Sequence, residues 1–374
     1  MKQTAYDLCY LAACAVNGTT PKKEKLEAFD LEKLYKISKR HSLSALCAMA
    51  VTSAGIQIPS EWQTEKEKAV RKALLFSAER EGILAFMEKS GIWYMPMKGV
   101  ILEKLYPSLG MREMSDNDIL YDKAHQEDLV KFMTARGYKA KSVGKKYHDT
   151  FFKEPVYNFE MHTDMFADEF NESFTEYYKD IASRLIPDSG KNYARHLSDD
   201  DFYIHITAHE YKHYSRSGTG LRSLLDRYIY IQKKHLNFDY ITAECTKLGI
   251  EEFEAESRIL CQKIFSSPDT VELTTDERDM LESYMLSTAY GTREQKIKQN
   301  LKKNYSNLSR GAKLRYVLGQ AFPKIEYYKT NYPFAYKCKI LLPLAWLIRA
   351  VKVLFFKRKT LAHIFRILRH IDDN

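Results

Sequence analysis

Apolar residues recur at three- and four-residue spacing through residues 1–90, in LEKLYKISKRHSLSALCAMAVTSA and again in the charged run from Glu61 to Lys89, and this period predicts helices. The texture changes at Gly91. IWYMPM is a short apolar run suited to a buried strand, and Lys98-Gly99 and the helical pattern VILEKLY follow it. Pro107 and Gly110 end that helix. DNDILY then has strand character, AHQEDLVKFMTARG reads as an amphipathic helix closed by Gly137, and YKAKSV and VYNFEMHTDM supply further strands. From Glu172 onward almost only helical periodicity remains, in DDDFYIHITAHEYKHYS, GLRSLLDRYIYIQKKH and EEFEAESRILCQKIF. The pattern therefore predicts an N-terminal helical region over 1–90, a mixed α/β core over 91–170 and a C-terminal helical region over 171–374. Neither a repeat nor a low-complexity linker marks these boundaries, which rest on the change of pattern alone.

Composition narrows the class of partner. A chain of 374 residues can bury a sizeable core and has room for two or three domains. With 45% hydrophobic and 29% charged residues it lies far from disordered or collagen-like chains, so it is expected to fold. The formal net charge of +9 suits a phosphate-bearing partner, whether nucleotide, nucleic acid or anionic membrane. Cys9, Cys14, Cys47, Cys245, Cys261 and Cys338 form no C-x-x-C pair, which points to reduced thiols rather than a zinc ribbon or a disulfide framework. The N-terminus, MKQTAYDLCYLAACAVNG, carries Asp7 inside its apolar stretch and makes a poor secretory signal, so a cytoplasmic protein is expected. Ile340 to Phe356 is strongly apolar, but Pro343, Arg349 and Lys352 interrupt it and it is shorter than the ~20 residues of a spanning helix.

The first candidate chemistry is the pair Asp116 and Asp118 in GMREMSDNDILY. Strand side chains alternate faces, so these two carboxylates project from one side while Asn117 and Ile119 take the other. Their repulsion is relieved by a hard cation, and Mg²⁺ is held by one or two carboxylates together with substrate phosphates. D-x-D alone also occurs in many surface turns. In VYNFEMHTDM, Tyr157, Phe159, Met161 and Met165 fall on one face and Asn158, Glu160, His162 and Asp164 on the other. If that strand lies beside DNDILY, Glu160 becomes a third carboxylate, able to complete a two-metal clamp or take a proton from an attacking hydroxyl. The alternative is a solvated edge strand.

These residues resemble a family. Met97-Lys98-Gly99, a helix with Leu105-Tyr106-Pro107, then Arg112, Ser115 and Asp116-x-Asp118 before an apolar strand are similar to the uncharacterised-nucleotidyltransferase family of the DNA polymerase beta-like superfamily, and to the related abortive-infection-type toxins. The likeness continues through Glu160-x-His162, through His209-Glu210-Tyr211-Lys212-His213 with Arg222 and Asp226, and near the end through Phe322-Pro323 and LLPLAWLIR. It implies an α+β fold, a small mixed sheet with helices, flanked by N-terminal and C-terminal helical regions. It also implies a glycine turn at Gly99 approaching a triphosphate, Asp116, Asp118 and Glu160 as metal-holding catalytic acids, and Mg²⁺ or Mn²⁺ as cofactor. The chain departs from the superfamily in one respect: the usual turn is Gly-Gly or Gly-Ser, whereas here it is Lys98-Gly99-Val100. Phosphate contact then falls partly to Lys98, Ser115 or Arg112, with the amides opening the next helix as further anion donors. A solvated Lys98, or an Arg112 paired with Glu113 or Asp122, is the plain alternative.

His205, His209 and His213 recur every four residues and share a helical face, but the first and third lie roughly 12 Å apart at 1.5 Å per residue, so at most two share an ion. The resemblance implies His162, His209, Lys212 and His213 near the nucleotide, with Arg222 on phosphate and Asp226 orienting it. Core packing is the competing reading. The basic and apolar mixture from Tyr336 to Lys359 could lie on a membrane surface or dock a partner helix, but such a stretch is more often a packed terminal helix. P-loop, dinucleotide-binding and serine or cysteine nucleophile motifs are missing. The expectation is a metal-dependent nucleotidyltransferase that moves an NMP from an NTP to a hydroxyl on a protein, an RNA or a small molecule. The alternative is an inactive nucleotide-sensing or partner-binding protein on the same fold.

Overall fold

The computed structural model describes residues 2–144, 147–166, 171–267, 269, 271–289, 291, 292, 294, 297, 328, 332–356 and 367. Five helices come first: α1 (Lys2–Asn17), α2 (Lys23–Glu27), α3 (Leu31–Arg40), α4 (Ser44–Ser53) and α5 (Ser60–Lys89). Helix α3 starts on Asp30, whose side chain accepts the Lys33 amide, which satisfies one of the amides that a helix start leaves unpaired. Along α5 the buried residues Ala73, Phe76, Arg80, Ile83 and Met87 are three or four apart, so one stripe of a long helix faces inward.

The mixed core follows: β1 (Tyr94–Pro96), a single turn α6 (Gly99–Leu102), β2 (Asn117–Tyr121), α7 (Gln126–Ala135), β3 (Lys139–Ala140), β4 (His148–Lys153) and β5 (Tyr157–His162). The sheet order is β1-β2-β5-β4-β3, with β2 and β5 parallel and the other neighbours antiparallel. The fold is therefore α+β with a small mixed sheet, as the resemblance implies. β5 lies between β2 and β4, so it is an inner strand and not the solvated edge. β4 is absent from the hydrophobic pattern reading, because HDTFFK opens on three polar residues and lacks strict alternation.

Alternation gives the sheet two different faces. Ile119, Tyr121, Phe151, Phe159 and Met161 pack on Ile83 and Met87 of α5 and on Leu129 and Met133 of α7, forming one core. Asp118, Glu160, His162 and His148 lie on the opposite face, fixed there by the registers Asp118↔Glu160 and His148↔His162.

After β5 come α8 (Glu172–Tyr178), a short hairpin of β6 (Ile186–Pro187) and β7 (Arg195–His196), and the helices α9 (Asp199–Tyr214), α10 (Leu221–Lys233), α11 (Phe238–Leu248), α12 (Glu251–Ser266) and α13 (Thr275–Leu286). The hairpin lies within the stretch where the pattern shows almost only helical periodicity. Leu8 and Leu11 of α1 and Leu46 and Val51 of α4 share one apolar cluster with Leu224 of α10, Leu260 of α12 and Leu281 of α13. The chain divides into two compact units, 1–214 with 219–290, and 215–218 with 291–374. Positions 90/91 and 170/171, where the pattern changes, both fall inside the first unit.

In the second unit Tyr328, Tyr332, Ala335 and Ala345 form a small core around the helices Pro333–Lys337 and Leu342–Phe356. Ile340, Leu344 and Leu347 are exposed there. Phe322-Pro323, Lys357 and Arg358 lie outside the described residues, as does the Lys352 side chain. Among the described residues no helix is long and apolar enough to cross a membrane, and the cysteines are unpaired.

Candidate functional site

The polar face of the sheet opens into a cavity of about 340 Å³ within the first unit. Lys98, Gly99, Arg112, Ser115, Asp116, Asp118 and Glu160 line it from the core, and His209, Lys212, His213 and Arg222 from α9 and α10. These residues are up to 124 positions apart in sequence, Lys98 to Arg222, yet the fold gathers them around one space.

Asp118 is the centre of the charge network. Its Oδ1 accepts from Lys98 Nζ at 2.8 Å and lies 2.8 Å from His162 Nε2. Burial alone would raise the Asp118 carboxyl, but the Lys98 ammonium and the His162 contact outweigh it and hold it well below the usual carboxylate range. Asp116, one residue before β2, is pushed up by burial and by the charge on Asp118. Glu160 is pushed up to about 7 by burial and then by Asp118 and Asp116. Lys98 stays charged because Asp118, Asp116 and Glu160 together overcome its burial. Lys98 pairs directly with Asp118, while burial first and then the neighbouring carboxylates raise Asp116 and Glu160.

Lys98 owes its position to an unusual backbone. Its φ of 44° and ψ of −114° put a non-glycine residue in a sparsely populated region, where such conformations cost of order 1–3 kcal/mol and concentrate at functional sites. Gly99 is needed for space. A Cβ there would lie 2.6 Å from Arg112 Nη1 and 2.8 Å from Met114 Sδ, so one of these side chains would have to shift, and Arg112 is pinned by Asp226. The amides of Val100 and Ile101 bond to the carbonyls of Met97 and Lys98, so these opening amides of α6 are spent inside the turn and do not serve as anion donors.

Arg112 forms neither of the pairs with Glu113 or Asp122 that the sequence suggests as its alternative. Its Nε and Nη2 grip the two oxygens of Asp226 on α10 at 2.8 and 2.9 Å, Tyr106 donates to the same carboxylate at 2.8 Å, and Nη1 rests on Met114 Sδ. Asp226 thereby organises Arg112, while Arg222 donates to the Glu113 carbonyl at 2.7 Å. Arg80 of α5 was not singled out by the sequence, being one charge in a charged run. It joins Asn117 at the start of β2 to Glu103, by bonds of 2.6 and 2.7 Å.

The three helical histidines divide. His209 and His213 line the cavity with their Nε2 atoms 3.3 Å apart, whereas His205 is fully buried against Phe166 and Tyr178. Burial, Lys98 and Lys212 push His209 well below the ordinary histidine value, so it is neutral. Lys212 lies over the rings of Phe166 and Tyr147 at 5.5 and 5.7 Å. His162 is fully buried behind the cavity wall, and burial and Lys98 keep it neutral too. His148, which no motif pointed to, faces Glu160 with its Nε2 3.8 Å from Oε2. Its signal was present only as a histidine opening a strand whose pairing with β5 could not be foreseen.

A family model described as an uncharacterised nucleotidyltransferase matches residues 27–266, while a search of curated proteins and a search of solved structures found no match. Nucleotidyltransferases generally use divalent metals, and His148, Glu160 and His162 form a group able to hold one. The matched span takes in the whole five-stranded sheet, both acids of β2 and helices α9 and α10, so the chain belongs to the uncharacterised nucleotidyltransferase family.

Proposed function

We propose that this protein transfers a nucleoside monophosphate from an NTP to an acceptor hydroxyl with release of pyrophosphate, and that the reaction depends on Mg²⁺ or Mn²⁺. The observation that carries this reading is the parallel register of Asp118 with Glu160, beside Asp116 and in a cavity that also holds Lys98. Directly paired residues on neighbouring strands lie about 4.8 Å apart, close enough for carboxylates to share a cation. The donor set fits such an ion: three carboxylates line one cavity, and burial together with their mutual repulsion raises Asp116 and Glu160, a cost that a bound cation would relieve. Asp116, Asp118 and Glu160 would hold it, and when bound it would neutralise the triphosphate and the leaving pyrophosphate.

The chain's own groups supply the rest. Lys98 is held charged at the cavity wall and would meet a phosphate oxygen as a point charge. Ser115 and Arg222 line the same space and would add donors, with Arg112 as the strut that keeps the Lys98-Gly99 turn in place. As an alternative to holding the ion, Glu160, at about 7 in the metal-free chain, has the proton affinity of a general base for an acceptor hydroxyl. His209, Lys212 and His213 would contact the nucleotide from α9, and buried His162 would act through Asp118.

The test is a screen of labelled NTPs against proteins, RNAs and small alcohols with Mg²⁺ or Mn²⁺, comparing wild type with the Asp116→Ala/Asp118→Ala double variant. Label transfer by wild type alone is expected, and equal transfer by both sinks the proposal. NTP binding without transfer to any acceptor would instead mark a nucleotide-sensing protein on this fold.

A further inference from the structure

The sheet face carries two imidazoles beside the acids of the proposed transfer site. His148 begins β4 and His162 ends β5, and they are direct cross-strand partners. Their ring centroids lie 5.0 Å apart, and Glu160 sits between them, its Oε2 3.8 Å from His148 Nε2 and 3.7 Å from His162 Nε2. We infer that His148, Glu160 and His162 form a site for one divalent first-row ion that favours imidazole, such as Zn²⁺ or Co²⁺, rather than for Mg²⁺. The inference rests on the proposed transfer reaction only in sharing Glu160 and Asp118 with it.

Geometry and ligand type both support this. Ligand atoms around a tetrahedral ion bound at about 2.0–2.1 Å lie roughly 3.3 Å apart, against 3.7 and 3.8 Å from Glu160 to the two imidazoles and no more than 4.8 Å between any two of the three ligand atoms. Asp118 Oδ1, 2.8 Å from His162 Nε2, stands at the edge of the set as a fourth ligand. Imidazole suits zinc, cobalt and similar ions, whereas magnesium takes oxygen and keeps its waters. Two inner strands hold the three side chains, so the site is fixed by sheet register and not by a loop. His162 is fully buried and His148 largely so, which limits the rotamer freedom lost on binding. On binding, the ion replaces the proton on His162 Nε2, and the ring takes its other tautomer.

The experiment titrates the full chain, freed of metal and without nucleotide. Co²⁺ is followed by visible absorption, and Zn²⁺, Mn²⁺ and Mg²⁺ by calorimetry. One Co²⁺ per chain with nitrogen-ligand spectral character is expected, with Zn²⁺ competing for the same site and Mg²⁺ failing to displace it. His148→Gln and His162→Gln should each weaken Co²⁺ binding at least about tenfold. If buried His162→Gln fails to fold, the more peripheral His148→Gln still decides the matter, its fold checked by thermal melting. Equal Co²⁺ affinity in wild type and folded His148→Gln overturns the inference, even where Mg²⁺-supported nucleotidyl transfer is intact. Histidine-dependent Co²⁺ binding in a chain that transfers no nucleotide supports the site and refutes only the transfer reaction.

Discussion

Replacing Asp226 by Asn removes the charge that balances Arg112 while keeping the shape of the side chain. In the native structure the carboxylate accepts three bonds, two from the Arg112 guanidinium and one from Tyr106, with both charged side chains nearly buried. An amide in its place accepts at one oxygen and presents an N–H to a guanidinium that can only donate. Breaking a buried pair by removing one partner costs 3–5 kcal/mol, and the Asn hydrogen bond that survives puts this case near the lower end, about 3 kcal/mol. With a denaturant slope of roughly 3 kcal/mol per molar, the urea midpoint should fall by about 1 M. Tryptophan fluorescence reads the first unit through Trp62 and Trp93, although Trp346 in the second unit also contributes. The double variant Arg112→Met/Asp226→Asn removes the stranded charge, so its loss should fall short of the sum of the single variants by at least about 1.5 kcal/mol. Because Arg112 Nη1 lies 2.6 Å from where a Gly99 Cβ would be, Asp226→Asn should also weaken NTP binding through the loosened Lys98 turn. An Asp226→Asn midpoint within error of wild type would refute the view that this ion pair is an anchor of the site.

Gly99→Ala forces a methyl against Arg112 and Met114, so a stability loss of about 1–3 kcal/mol with impaired nucleotidyl transfer is expected, read by urea unfolding and the labelled-NTP assay. In the proposed reaction Mg²⁺ binding would need Glu160 as carboxylate, and Glu160 sits at about 7 in the metal-free chain. Apparent affinity should therefore rise between pH 6 and 8, and calorimetry should find that rise flattened in Glu160→Gln. His41 is buried, accepts the Leu221 amide at Nδ1 and is lowered to about 4 by burial and by Arg40. Its unfolded form binds protons first, so its contribution is full above about pH 6.5 and is lost as pH falls toward 4, about 2 kcal/mol of it between pH 7.5 and 5.0. Unfolding curves at those two pH values should show a shallower loss for His41→Gln than for wild type; parallel losses would contradict the assignment. Lys98→Met should abolish transfer and raise the Asp118 carboxyl, measurable by NMR titration, because the ammonium is its largest stabilising neighbour.

Much of this protein is written in short-range pattern. The stripe along α5, the alternation in NDILY and YNFEMH and the acids at 116, 118 and 160 are visible because periodicity and side-chain direction are local properties of the backbone. What the chain itself conceals is every choice of partner across distance. Nothing local says that β5 inserts between β2 and β4, that His148 meets His162, or that Asp226 takes Arg112 from 114 residues away. Strand register depends on which apolar faces are buried together, and buried ion pairs form where two polar groups are sealed from water by the same packing. The sequence therefore determined the acids, the faces and the family, while the tertiary structure decided which charges meet, because burial strengthens the pairing of any two buried groups it brings into contact.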